Sequence, residues 1–228
     1  MTRILFVIFD DVTQLDFTGP AAVLSRLPDA EVAYAAPSLR PIRTDAGFEV
    51  LPTTTLAEAQ SCDLLCVPGG FGIRALVGNA SALGHIQRLG GGAAHLTAVC
   101  TGSLVLGAAG LLRGVNATTH WAYHDLLGDV GAIPVKARYV RDGRVHTGGG
   151  VTAGLDFGLH IAAEIAGETV ARTLATAVEY DPAPPFGPGT PDAQPAAIGE
   201  SLRAFYREPV RLTRQAIRTA LAAPTTNA

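Results

Sequence analysis

The residues able to do chemistry sit at the ends of apolar runs. Cys100 follows Ala98-Val99 and precedes Thr101-Gly102-Ser103 and a small, apolar stretch from Leu104 to Leu112, the pattern of a strand, an abrupt turn and a helix. A cysteine at such a turn faces the first turn of a helix, where unpaired N–H groups and the positive end of the dipole favour a thiolate. This is the placement of a nucleophile elbow, although the G-x-S-x-G spelling is absent and Gly102 alone supplies backbone freedom. Cysteines are more often buried and inert than reactive; the position of Cys100 argues for reactivity. Thr101 offers a hydroxyl to the thiol or to an acid. Asp16 lies between Leu15 and Phe17, a neighbourhood that raises a carboxyl pKa and lets it hold or pass a proton. It reads equally well as a cap at a helix entry. Gly69 and Gly70 either give N–H groups to a developing anion or simply turn the chain. A cysteine–histidine dyad would take His120; His85, His95, His124, His146 and His160 read as surface or core polar groups.

These residues need strands that end together. Ile4 to Phe9 is a continuous β-prone run, the signature of a strand covered on both faces. Asp16 lies just past it, in a loop feeding a helix from Ala21 to Leu27 with Thr18 as cap. Further strands are expected at Glu31–Ala36, Phe48–Leu51 and Leu64–Val67, the last running into Pro68-Gly69-Gly70-Phe71-Gly72. Helices are expected at Ile73–Leu76 and Ala82–Leu89, before the Cys100 strand. Asp142-Gly143 marks a hairpin. Thr147 to Gly154 opens one long helix carrying Leu155, Leu159, Ala162, Ile165, Ala166, Val170 and Leu174 at helical spacing. Strands alternating with helices give an α/β fold, a doubly wound and mostly parallel sheet with its site outside the carboxyl ends of the strands. Asp16, Gly69-Gly70 and Cys100 would meet there.

The 228 residues are read as one domain, with a loop of six prolines and two glycines at 182–195 and a helical segment at 196–223 whose half after Pro209 is amphipathic and arginine-rich. A net charge of −3 with no basic block excludes a nucleic acid or anionic membrane as the expected partner. No apolar stretch reaches the ~20 residues that span a bilayer, and the N-terminus runs into Asp10-Asp11 too soon for a secretory leader. A cytoplasmic protein is expected. Three cysteines, Cys62, Cys66 and Cys100, show neither disulfide nor zinc spacing, so Cys62 and Cys66 are read as structural.

The strand-one acid, Val67-Pro68-Gly69-Gly70, Val99-Cys100-Thr101-Gly102, Ala117-Thr118-Thr119-His120-Trp121, the run Gly148 to Gly154, and Glu179 to Phe186 together resemble the ThiJ/PfpI superfamily, related to class I glutamine amidotransferases. Within it they resemble the isocyanide hydratases. The likeness covers nearly the whole chain. It implies a flavodoxin-like fold, a symmetric homodimer, and hydration of an isocyanide to an N-substituted formamide with neither metal nor organic cofactor. Cys100 would then be the nucleophile, Asp16 the acid and Thr101 a positioning hydroxyl, with Gly69, Gly70, Phe17, His120, Trp121 and Val151 around the substrate. Protease-like members carry histidine after the cysteine; Thr101 stands there in this chain, against peptidase activity. Asp16 is one methylene shorter than the glutamate of other members. The competing readings are a small-molecule sensor like those of AraC-type regulators, or a redox-responsive or glyoxalase-like member. An AraC-type chain would continue into two helix-turn-helix units, and this sequence runs only to one short basic helix, which favours the enzyme.

Overall fold

The apolar runs become strands whose ends converge. In the computed structural model, which describes residues 1–223, the elements are β1 (Thr2–Val7), α1 (Gln14–Leu24), β2 (Ala30–Ala36), β3 (Ile42–Arg43), β4 (Glu49–Val50), β5 (Thr54–Thr55), β6 (Leu64–Val67), α2 (Ile73–Val77), α3 (Ala80–Gly92), β7 (His95–Val99), α4 (Gly102–Ala108) and β8 (Asn116–Ala117). After a 3₁₀ turn at Trp121–Tyr123 come α5 (Leu126–Asp129), β9 (Ile133–Pro134), β10 (Tyr139–Asp142), β11 (Val145–Gly148), α6 (Ala153–Ala166), α7 (Glu168–Ala177), a second 3₁₀ turn and α8 (Ala196–Ala222). Seven strands form one sheet in the order β10-β11-β7-β6-β1-β2-β5. All pair in parallel except β10 with β11.

From β1 the chain steps outward to β2, then returns to β6 on the other side of β1 and continues to β7. Right-handed crossovers in opposite directions put α1 on one face and α2 and α3 on the other. The reversal opens a crevice beyond the carboxyl ends of β1 and β6, where such sheets hold ligands. The all-apolar strand β6, Leu-Leu-Cys-Val, is buried throughout, as a central parallel strand must be.

Several local expectations are corrected. Helix α1 starts at Gln14, not Ala21, and runs through Pro20. The loop signal Gly19-Pro20 is overridden by packing: α1 lies against α6, and side chains at Gly154 and Gly158 would come 3.0 Å from Pro20 Cδ and 3.3 Å from its Cα. Small residues on α6 admit the proline ring. Asp16 therefore belongs to the first turn of a helix, not to a loop. Thr18 caps nothing, since its hydroxyl donates to the Gln14 carbonyl at 3.0 Å. The expected long helix is broken at Gly167, whose φ of 88° ends α6 before α7 begins. The strand at Phe48–Leu51 shrinks to β4, paired only with β3, and the hairpin turns on Gly143-Arg144, with Asp142 still paired to Val145. Helix α8 continues through Pro209 and packs on α2, α4 and α5 of its own chain, burying Thr213 and Ile217, while Arg214 reaches Asp129 at 2.7 Å. No helix among the described residues is long and apolar enough to cross a membrane.

Candidate active site

Cys100 follows β7 with φ 57°, a left-handed conformation that costs a non-glycine residue of order 1–3 kcal/mol. It is held there from both sides. Its N–H donates to the carbonyls of Gly148 and Gly149, each at 3.0 Å, and its own carbonyl accepts from Thr119 Oγ1 at 2.8 Å and Ser103 Oγ at 3.2 Å. Gly102 completes the elbow, because a Cβ there would drive into the Val67 carbonyl at the end of β6.

Asp16 is fully buried. Its Oδ2 accepts the Gly69 N–H at 3.0 Å, while Oδ1 has no hydrogen-bond partner among the described residues. Burial drives the carboxyl pKa up to about 7, partly offset by the Gly69 N–H and the Cys100 thiol. At neutral pH it can hold a proton or release one. The thiol differs from the sequence expectation. Burial first, and the Asp16 charge second, push Cys100 well above the usual thiol range; the Thr101 N–H and hydroxyl pull the other way and are outweighed. The resting thiol is therefore protonated, and the helix end does not make it a standing thiolate. What the geometry provides is a carboxyl and a thiol close enough to perturb each other and to exchange a proton.

Gly69 and Gly70 do not present free donors. The Gly69 N–H is taken by Asp16, and the Gly70 N–H donates to Thr101 Oγ1 at 3.1 Å. They bind the acid and the threonine into the site instead. A Cβ at Gly69 would lie 2.5 Å from Thr101 N and 2.9 Å from Cys100 Cβ, so that position has no room for a side chain. His120 is not a base for the thiol. Its Nδ1 accepts the Ala122 N–H at 3.3 Å and burial lowers its pKa to about 4, so the neutral ring carries its proton on Nε2 and can only donate from there.

Phe17 is buried in the core, edge-on to Tyr34 of β2. Val151 is half-buried in the turn before α6. Trp121 stands at an aromatic wall that the sequence reading missed. Tyr206 of α8 lies with its ring centroid 5.2 Å from His120, 5.5 Å from Trp121 and 5.9 Å from Tyr123, and stacks on Phe71. Burial first, and a charge on Cys100 after it, push the Tyr123 and Tyr206 hydroxyls above their usual range. The available signal was the pair Phe205-Tyr206 amid the arginines of the last helix. Cys62 and Cys66 are buried and free, with burial raising them to about 11 and about 12.

The Asp16 shift has a consequence for stability. A carboxyl near 7 in the folded chain and 3.8 in the unfolded one favours the fold fully below the lower value and loses that contribution as pH rises through the higher. Asp16→Asn keeps an acceptor for Gly69 and has no charge to bury. Thermal unfolding should show the variant melting above the unmodified protein at pH 8, with the gap closing as pH falls towards 4. A gap that does not change with pH would contradict the shift.

Comparison with known proteins agrees with this fold. The DJ-1/PfpI family model matches residues 2–164. The isonitrile hydratase of Pseudomonas putida is 49% identical over 201 residues, 88% of each chain. A ThiJ/PfpI family protein from Pseudomonas syringae superimposes with a TM-score of 0.92 at 38% identity, over 95% of this chain and 90% of that one. The HTH-type transcriptional regulator GlxA of Rhizobium meliloti is 27% identical over 68% of this chain but only 48% of its own length. With a parallel sheet, an elbow cysteine and a family match over most of its length, the chain belongs to the DJ-1/PfpI family.

Proposed function

We propose that this chain hydrates isocyanides, R–N≡C, to N-substituted formamides, R–NH–CHO. The observation that carries the reading is the buried pair of Cys100 thiol and Asp16 carboxyl, the latter near 7; the isonitrile hydratase relative supports it. The terminal carbon of an isocyanide must accept both a nucleophile and a proton, so the two groups have to converge on one atom. Ionised Asp16 takes the thiol proton as sulfur attacks, then delivers it to that carbon, giving the thioimidate R–N=CH–S–Cys100. Asp16 is again a carboxylate and takes a proton from water as the oxygen adds to the carbon. That proton passes to nitrogen, and the adduct R–NH–CH(OH)–S–Cys100 collapses to the formamide and the free thiol. The Thr101 hydroxyl and N–H steady the sulfur while it carries charge. The wall of Tyr123, Tyr206 and Trp121 favours an aromatic or bulky apolar R group, with Val151 at its margin.

Incubation with an aryl isocyanide should release formamide catalytically. Cys100→Ser should abolish turnover with the fold intact, Asp16→Asn should lower it by the ~10²–10⁴-fold of a lost acid–base group, and Thr101→Val should lower it with the melting temperature nearly unchanged. Full activity in Cys100→Ser would sink the covalent mechanism. Binding of isocyanide without turnover by the unmodified protein would favour a sensor, the reading attached to the regulator relative. The assembly proposed is a cytoplasmic homodimer, so light scattering at micromolar concentration should give twice the 23.5 kDa chain mass; a monomer mass would refute it.

A further inference from the structure

At the end of the sheet opposite Cys100, three side chains far apart in sequence come together. His95 opens β7 and His146 is the second residue of β11; the register pairs Thr97 with His146, so both histidines project from the face that α6 covers. Glu164 lies near the end of α6. One ligand atom from each of His95, His146 and Glu164 lies within 4.8 Å of the others. The sequence reading treated both histidines as surface or core polar groups and expected no metal.

We propose that His95, His146 and Glu164 form a binding site for a divalent zinc-like cation. Two observations point to a ligand. First, His146 is completely buried, yet among the described residues its Nε2 has no hydrogen-bond partner, and neither does the buried Nδ1 of His95. Buried ring nitrogens normally find partners, and here two orphans belong to one cluster with a carboxylate. Second, the other atoms of two ligands are already held. Tyr139 Oη lies 2.8 Å from His146 Nδ1, and Arg141 donates to Glu164 Oε1 at 2.7 Å, leaving Oε2 turned towards His146 Nε2 at 3.7 Å. With the Nδ1 proton donated to Tyr139, the His146 Nε2 lone pair is free. Outer partners that fix tautomer and orientation in this way are characteristic of metal sites.

Two nitrogens and a carboxylate oxygen suit zinc in a tetrahedral site with one open position, with bonds of about 2.0–2.2 Å that set ligand atoms about 3.3–3.5 Å apart. The cluster needs a contraction of roughly an ångström, which the Glu164 side chain, 25% exposed, can supply by rotating. His95 lies five residues before the elbow and His146, level with Thr97, three residues before it, a separation along the strands of about 10–16 Å. The cation would tie β7, β11 and α6 together from below without touching the reacting atoms, so the site stands or falls independently of the proposed hydration.

The test is cobalt(II) and zinc(II) titration of chelator-treated full-length protein. The expected result is one cobalt per chain with the visible absorption of a four-coordinate ion and no thiolate charge-transfer band, displacement by one zinc, and a zinc-dependent rise in melting temperature. His146→Gln should abolish the site. Should that buried substitution unfold the chain, Glu164→Gln and Tyr139→Phe decide instead, each expected to weaken zinc by ~10-fold or more. Absence of stoichiometric binding, a thiolate band, or zinc affinity unchanged in Glu164→Gln and Tyr139→Phe would overturn the proposal.

Discussion

The 3.0 Å hydrogen bond from the Gly69 N–H to Asp16 Oδ2 is the constraint on which the site depends. It joins the two sides of the crevice: Asp16 arrives from β1 through α1, and Gly69 from the end of β6. The bond gives a fully buried carboxyl one fixed oxygen and leaves the other unpartnered beside the thiol. Without it, burying that carboxyl would be costly in either protonation state. Without the burial, its pKa would not approach the pH at which a carboxyl can both give and take a proton.

The rest of the fold serves that convergence. Gly102 lets α4 start against β6, and the left-handed backbone of Cys100 is locked by the Gly148 and Gly149 carbonyls on one side and the hydroxyls of Thr119 and Ser103 on the other. Thr101 links the elbow to Gly70, so the acid, the glycine turn and the thiol form one connected unit. The close approach of α1 to α6, made by Pro20 against Gly154 and Gly158, puts the first turn of α1 at the crevice. The last helix then closes the outer side with Tyr206.

Much of this was legible in the sequence where the signal was local. Apolar runs ending in Asp16, Gly69-Gly70 and Cys100 identified the strands and the edge at which they meet. What was not legible depended on tertiary contact. Pro20 reads as the last residue of a loop before a helix until Gly154 and Gly158 are known to face it. The thiol reads as ionised if only the helix end is considered; burial and the facing carboxylate reverse that. His120 reads as a base until the Ala122 N–H is seen to occupy Nδ1. Tyr206 lies more than a hundred residues beyond Cys100, and nothing local ties the two together.

The central claim is that Asp16 carries an exchangeable proton near neutral pH beside a protonated thiol. Difference infrared spectroscopy of the unmodified protein against Asp16→Asn, recorded across pH, reads that proton directly. A protonated-carboxyl stretch assigned to Asp16 that disappears with a midpoint near pH 7 is the predicted result. A carboxylate already ionised at pH 5 would contradict it.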